Sequence, residues 1–322
     1  YKTIGNWRGS VLTTDFECLD PTTGSTRRIK VIPTFSPSHT QKNWADRYFT
    51  IHDLAHAKRE SEFPEFRPIE LEQRMLIYPT VREVEDFAGY CDGLGRSLIA
   101  GNPALLDNPY RLNADGILYV EESAPFSLSY DYETHPPFLR SVAYCMDGKD
   151  AICIPFTHAD CSPIWENIED ELRIWEASAK INASFIPKIS QYGLTYDWFY
   201  ALAYGMPVQF NWLDTHYMHK CIQPELGAKL QDITSLYTGM RYYKEEGKAF
   251  IKKGQKNLNF SENIFFEYNC KDVLATYIGA FEIKKDLIEQ KLFSVYIDRF
   301  LSLSPALIHL SISGLKWDAE YC

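Results

Sequence analysis

With 322 residues, of which 45% are hydrophobic, 15% aromatic and 24% charged, the chain holds enough apolar side chains for about two packed domains and lacks a disordered composition. No run of about 18 apolar residues occurs, which excludes a membrane-spanning helix on that criterion. The net charge of −10 excludes a uniformly basic nucleic-acid binder, so any such contact needs local basic patches.

Eight scattered cysteines (Cys18, Cys91, Cys145, Cys153, Cys161, Cys221, Cys270, Cys322) show no CxxC spacing. They fit reduced thiols in a cytoplasm-like compartment, most of them packing as small hydrophobes. The first residues, Tyr1-Lys2-Thr3-Ile4-Gly5, have neither an initiating Met nor the layout of a signal peptide, so the chain is read as part of a longer product.

Residues 1–62 carry a strand candidate, Lys30-Val31-Ile32-Pro33, a turn rich in Pro and Ser, and helical spacing from Trp44 to Arg59. His52 and His56 stand four apart, as in a zinc helix. Asp53 replaces the Glu of HExxH and no third ligand is evident, so an amphipathic surface helix is expected. Phe63, Pro64, Phe66 and Pro68 form a linker into a strand over Leu71 to Tyr78, and the domain boundary is placed there. Thr80-Val81-Arg82-Glu83 is a capping box opening a short helix through Tyr90, closed by Gly93 or Gly95. Gly101 to Ala124 reads as a loop-like insertion without an assigned role.

Leu128 to Thr134 reads as a strand, with Asp131 and Glu133 two residues apart at its end. A period of two puts both carboxylates on one face, and like charges that close are costly unless a cation separates them. Oxygen ligands suit Mg²⁺ or Mn²⁺; the alternative is a solvated strand end before His135-Pro136-Pro137. Arg140 to Met146, a turn at Asp147-Gly148, and Ala151 to Phe156 form a hairpin, giving three antiparallel strands. Ser162-Pro163 opens a helix running toward Ala179, and Phe185 to Ser190 is a short strand. Asp197 then falls at a strand–helix junction, where α/β sheets gather functional groups, or else serves as an ordinary N-cap.

Gln209 to Thr215 is a further strand ending in Asp-Thr, before a helix with His216 and His219, which are expected to pack or solvate. Tyr237 to Lys256 mixes Arg241, Lys244, Lys248, Lys252, Lys253 and Lys256 with Tyr242, Tyr243 and Phe250. That pattern suits a single-strand groove and equally a solvated loop. From Ser261 to about Phe300 the sequence is helical, and Tyr268 and Asp272, four apart, share a face.

Two resemblances follow. Trp7-Arg8-Gly9-Ser10, Val31-Ile32-Pro33-Thr34-Phe35-Ser36-Pro37-Ser38 and Asp53-Leu54 resemble the C-terminal part of a family-4/5-type uracil-DNA glycosylase. Ser36 stands where that family has its His, and the water-activating loop is absent, so no glycosylase activity is expected and packing is the simpler role. Asp131-x-Glu133, Asp197 and Tyr268-x-x-x-Asp272 resemble the three motifs of DEDDy 3′–5′ exonucleases. The closest likeness is to the proofreading domain of family A DNA polymerases of the bacteriophage-like branch. Asp214-Thr215, Pro224-Glu225-Leu226, Leu236-Tyr237-Thr238, Tyr242-Tyr243-Lys244 and the run from Tyr268 to Thr276 extend it over about residues 125–290. Gly193 departs from the Asn that the family carries four residues before the second-motif Asp, unless a one-residue insertion near Thr195 shifts the register.

The resemblance implies a ribonuclease-H-like α/β fold, a mixed sheet flanked by helices, with a small partial α/β segment at the N-terminus. It divides the chain into 1–62 (glycosylase-like segment), 63–124 (linker, helix and insertion), 125–290 (exonuclease domain) and 291–322 (start of a polymerase thumb-like region). It implies two Mg²⁺ or Mn²⁺ ions held by Asp131, Glu133, Asp197 and Asp272, with Tyr268 orienting the attacking water. The implied substrate is a single-stranded or frayed DNA 3′ end, the implied partner a polymerase domain in the same or a longer chain, and the implied setting the cytoplasm of a bacterial or phage-infected cell. The rival readings are a non-catalytic DNA-binding or structural module of a polymerase, and an RNA 3′-trimming exonuclease.

Overall fold

The computed structural model of the protein describes residues 4–21, 24–63, 65–106, 126–135, 137–245 and 262–314. The N-terminal segment is a short helix Ile4–Trp7 (α1), an antiparallel hairpin of Leu12–Leu19 (β1) and Thr26–Val31 (β2), and the helices Pro37–Lys42 (α2) and Arg47–Ser61 (α3). Arg8 organises it. The guanidinium is buried over the Phe49 ring at 3.5 Å and lies 3.4 Å from Asp53 and 3.9 Å from Asp232. Thr34 donates to Asp53 at 2.8 Å, and Gly9, at φ +75, passes so close that a Cβ would sit 3.0 Å from the Asp53 carboxylate. Three of the residues that carry the glycosylase likeness, Arg8, Thr34 and Asp53, thus join in one polar network.

Beyond it, Arg74–Leu76 (β3), Leu128–His135 (β4), Phe138–Cys145 (β5), Asp150–Pro155 (β6), Lys188–Ser190 (β7) and Asn211–Asp214 (β8) make one sheet in the order β3-β6-β5-β4-β7-β8. β5 runs antiparallel to β4 and β6, while β3–β6, β4–β7 and β7–β8 are parallel pairs. A mixed sheet of this order flanked by helices is a ribonuclease-H-like α/β fold. The chain enters the sheet at β3, inside the strand expected over Leu71 to Tyr78.

The helices are Val81–Gly101 (α4), Ile168–Ala183 (α5), Asp197–Ala203 (α6), Thr215–Ile222 (α7), Leu230–Ile233 (α8), Asn263–Glu289 (α9), Phe293–Tyr296 (α10) and Ser304–Ser313 (α11). Leu128, Tyr130 and Tyr132 face α4 and α5, packing with Val84, Ala88, Cys91, Ile174 and Ile181. The opposite face of the sheet takes α9, whose Phe266, Val273, Leu274 and Ile283 are fully buried among Ala143, Cys153 and Ile189. Burying such side chains contributes about 1.5–3 kcal/mol each before entropy is charged.

The boundaries differ from expectation at several points. The helix expected from Ser261 to about Phe300 ends at Glu289, because Lys291, at φ 60, turns the chain before α10. The capping box at Thr80 and Glu83 forms, but α4 runs through Gly93 and Gly95 to Gly101. At Gly95 a Cβ would approach the Phe185 backbone nitrogen to 2.7 Å, so this glycine permits helix–backbone packing and does not stop the helix. α5 begins after Asn167, whose side chain accepts from the Asp170 N–H, because Thr157 and Pro163 bridge and keep the Ser162-Pro163 stretch in a loop. The strand expected from Lys30 ends at Val31 and pairs with β1, an unanticipated strand. Of the insertion expected over Gly101 to Ala124, Gly101 ends α4 and Pro103–Leu106 forms a short 3-10 turn, while residues 107–124 and Lys248, Phe250, Lys252, Lys253 and Lys256 lie outside the described residues.

Candidate metal centre

β4 delivers the first two acids. Ser129, on the α9 face, donates its hydroxyl to the Val273 carbonyl at 2.8 Å, fixing which side the odd-numbered residues take. Asp131 and Glu133 therefore project under α9, while their even neighbours enter the opposite core. The register with β5 shifts between Glu133 and Thr134, an irregularity of the kind that ends strand pairing beside functional sites.

α9 delivers the third acid and the phenol. Asp272 comes within reach of the strand pair: one ligand oxygen from each of Asp131, Glu133 and Asp272 lies within 4.8 Å of the others. Among the described residues this is the one set of three or more potential metal ligands so close together. Asn269, one turn earlier than Val273, donates to Asp131 Oδ2 at 2.7 Å and accepts from the Ser141 hydroxyl at 2.9 Å, so the Asp131 carboxylate is oriented from behind.

Asp197 arrives from the other direction. It is the first residue of α6, is 3% exposed, and accepts the Tyr132 N–H at Oδ1 over 2.8 Å, which places it on the strand between Asp131 and Glu133. The turn carrying it is held by Asp214. That buried carboxylate accepts from the N–H groups of Tyr192 and Leu194, both at 3.0 Å, and also caps α7 through His216 N–H at 3.0 Å and Tyr217 N–H at 3.4 Å. Glycine at position 193 is required sterically on this backbone. A Cβ there would overlap Ser190 Cβ, lie 2.5 Å from Ser190 Oγ and 3.2 Å from Asp197 Oδ2, so no Asn fits this backbone.

The cluster is electrostatically uneasy. Burial, and then the neighbouring Asp272, push the Asp131 carboxyl up to about 7; Lys244 and Asn269 oppose that. Glu133 is raised well above its ordinary value by burial and then by Asp131 and Asp272, and Asp197 by burial and then Asp131. Burial, with Asp272 beside it, also raises the Tyr268 phenol, which therefore stays protonated. Asp272 Oδ1 is buried and takes no hydrogen bond. Carboxylates crowded together with an orphaned, buried oxygen suit a hard divalent cation such as Mg²⁺ or Mn²⁺.

Lys244 also enters the cluster; the sequence places it in a basic, aromatic run and in a segment that extends the exonuclease likeness, with no site role of its own. Its ammonium donates to Asp272 Oδ2 at 2.5 Å and to the Tyr268 hydroxyl at 3.0 Å. The histidine pairs stay out of the site. His56 meets the Gly9 carbonyl at 3.1 Å, His216 the Ala228 carbonyl at 3.1 Å, and His219 the Tyr237 hydroxyl at 3.0 Å. Around the rim, Tyr196 is 42% exposed, and its hydroxyl meets the Thr134 hydroxyl at 2.9 Å.

No protein-family model matches the chain and no curated protein matches it significantly, so the functional reading stands on this geometry and on the motifs.

Proposed function

We propose that the chain is a metal-dependent 3′–5′ exonuclease that removes nucleoside monophosphates from single-stranded or frayed DNA 3′ ends, as the proofreading part of a DNA polymerase. The observation that carries this reading is the meeting of Asp131, Glu133 and Asp272 within 4.8 Å on a ribonuclease-H-like sheet. Asp197 is fixed to the same strand, and Tyr268 stands one turn from Asp272 on the same helix. The direction of attack and the choice of DNA rest on the resemblance of the motifs and of the flanking segments.

Asp131, Glu133 and Asp272 would hold one Mg²⁺ or Mn²⁺, with Asp131 and Asp197 serving a second. Bound there, such ions polarise the phosphoryl oxygens and lower the pKa of the attacking water. The protein groups do the remaining work. Asn269 keeps Asp131 aimed, and Tyr268, protonated, orients the water by hydrogen bonding. The exposed Tyr196 ring offers a stacking surface for an unpaired base. Water adds to the last phosphodiester, the bond from phosphorus to the 3′ oxygen breaks, and a 5′-monophosphate leaves a strand ending in a 3′-hydroxyl.

The test pairs binding with turnover. The protein should melt at higher temperature with Mn²⁺ and shorten a 5′-labelled single strand of DNA one nucleotide at a time. Asp131→Ala should abolish the shortening while the metal-free melting temperature stays at or above that of the parent, because a crowded charge is removed. Undiminished degradation by that variant would refute the site. A protein that neither gains stability with Mn²⁺ nor cuts would be the non-catalytic module, and preference for an RNA strand would identify the trimming enzyme.

A further inference from the structure

We propose that Lys244 is a positioning residue of this site: donating at once to the Tyr268 hydroxyl and the Asp272 carboxylate, it aims the phenol's own proton into the reaction space. The proposal rests on the hydrolytic reading above.

The geometry is specific. Lys244 Nζ stands 3.0 Å from the Tyr268 oxygen and 2.5 Å from Asp272 Oδ2, with the side chain of each buried. An ammonium has donors only. The phenol oxygen must therefore accept, and its O–H is released to point elsewhere. Asp272 is likewise committed. Oδ2 is occupied by Lys244, whereas Oδ1, buried and taking no hydrogen bond, is the oxygen left over. One side chain sets the direction of two groups that lie four apart on α9.

The lysine is itself delivered rigidly. Arg241 N–H donates to Glu70 Oε1 at 2.8 Å, Tyr242 N–H to the Ser10 hydroxyl at 3.0 Å, and the Tyr243 hydroxyl to the Lys271 carbonyl at 3.2 Å. The ammonium then lies over the rings of Tyr268 at 4.6 Å and Tyr243 at 5.4 Å. A buried ion pair is seldom the most stabilising choice for a site of this size, since the two groups must be desolvated. A positioning role supplies a reason for its presence here.

A positioning role and a scaffolding role make different predictions. Lys244→Met removes a positive charge beside the carboxylates, so Mn²⁺ affinity, measured by calorimetric titration, should be equal to or tighter than in the parent. The single-turnover rate at saturating Mn²⁺ should nevertheless fall by about 10–100-fold, the usual cost of losing a partner that orients a ligand. On a Tyr268→Phe background the same substitution should cost less than about 3-fold, because the group it acts through is gone. Lys244→Arg, which keeps charge and donors, should fold like the parent and recover part of the rate, and it carries the test should the Met variant unfold. A Met variant within 3-fold of the parental rate overturns the proposal, as does a Met effect that multiplies independently with Tyr268→Phe. So does a loss of rate that follows weakened Mn²⁺ binding, which would make Lys244 a scaffold for Asp272. If the parent itself binds no Mn²⁺ and cuts no strand, it is the exonuclease reading that has failed, and that result is distinct from the others.

Discussion

Replacing Asp214 tests how Asp197 is held. This carboxylate is fully buried, stands at the end of β8, and accepts four backbone N–H groups, from Tyr192, Leu194, His216 and Tyr217. In Asp214→Ala the cap of α7 is lost, at about 1 kcal/mol. The Tyr192 and Leu194 N–H groups are left without their acceptor, at about 1–3 kcal/mol each. Burial already raises the Asp214 carboxyl, so part of this returns as relieved desolvation, and the net local loss is about 3 kcal/mol. Hydrogen exchange reads that number directly: the Tyr192 and Leu194 amides should lose about 100-fold in protection, since 1.4 kcal/mol is tenfold. Amides in β5, away from the turn, should change much less. With Asp197 carried on the loosened turn, the proposed nuclease activity should fall although none of the proposed metal-ligand side chains was replaced. Protection at Tyr192 and Leu194 within tenfold of the parent would refute the account of the turn.

Further outcomes follow from the same geometry. Gly193→Ala should destabilise by about 1–3 kcal/mol, because its Cβ overlaps Ser190; an unchanged melting temperature would show that the turn yields freely. Lys188 is fully buried in β7, where its ammonium donates to the Ser184 carbonyl, to the Ser184 hydroxyl at 3.1 Å and to the Ile186 carbonyl at 2.9 Å, and burial pushes it down to about 7. The unfolded chain, with a lysine near 10.4, binds the extra proton between those values. Stability should therefore rise with pH from about 7 to 10, by up to about 1.4 kcal/mol per unit, with the full penalty present below 7. Lys188→Met should flatten that rise, and melting curves at pH 7.5 and 9.5 that keep the parental difference would remove Lys188 as its source.

Local periodicity explains what could be read ahead of the fold. Asp131 and Glu133 share a face because a strand alternates, and Tyr268 and Asp272 do so because a helix repeats every 3.6 residues. The same rules are silent on what lies across the sheet. Gly93 and Gly95 look like stops, since glycine costs a helix about 1 kcal/mol, and packing against Phe185 outweighs that cost. Ser162-Pro163 has the chemistry of a helix start, yet the Thr157–Pro163 bridge holds it in a loop that Glu262 ties down through His158 at 2.6 Å and the Ala159 N–H at 2.7 Å. Nor does any local pattern join Lys244 to residues 24 and 28 positions later, a contact that exists only once α9 lies on the sheet.

The N-terminal segment has a structural reason to stay attached to the sheet unit. Asn6 donates to Glu245 at 3.0 Å, Trp7 meets the Tyr242 ring edge-on at 5.4 Å, Ser10 accepts the Tyr242 N–H, and Arg8 reaches Asp232 at 3.9 Å. All four contacts land on residues 232–245, the stretch that ends by placing Lys244 against Asp272. The residues that resemble a glycosylase therefore brace the far side of the acidic cluster. Removing this segment would take Arg8 from Asp232 and Gly9 from the Ser235 backbone beside it. It would also free the backbone of Tyr242, so the position of Lys244 depends on residues more than 230 positions away in sequence. That dependence is physical coupling through packed and hydrogen-bonded groups, and it requires no chemistry from the N-terminal segment itself.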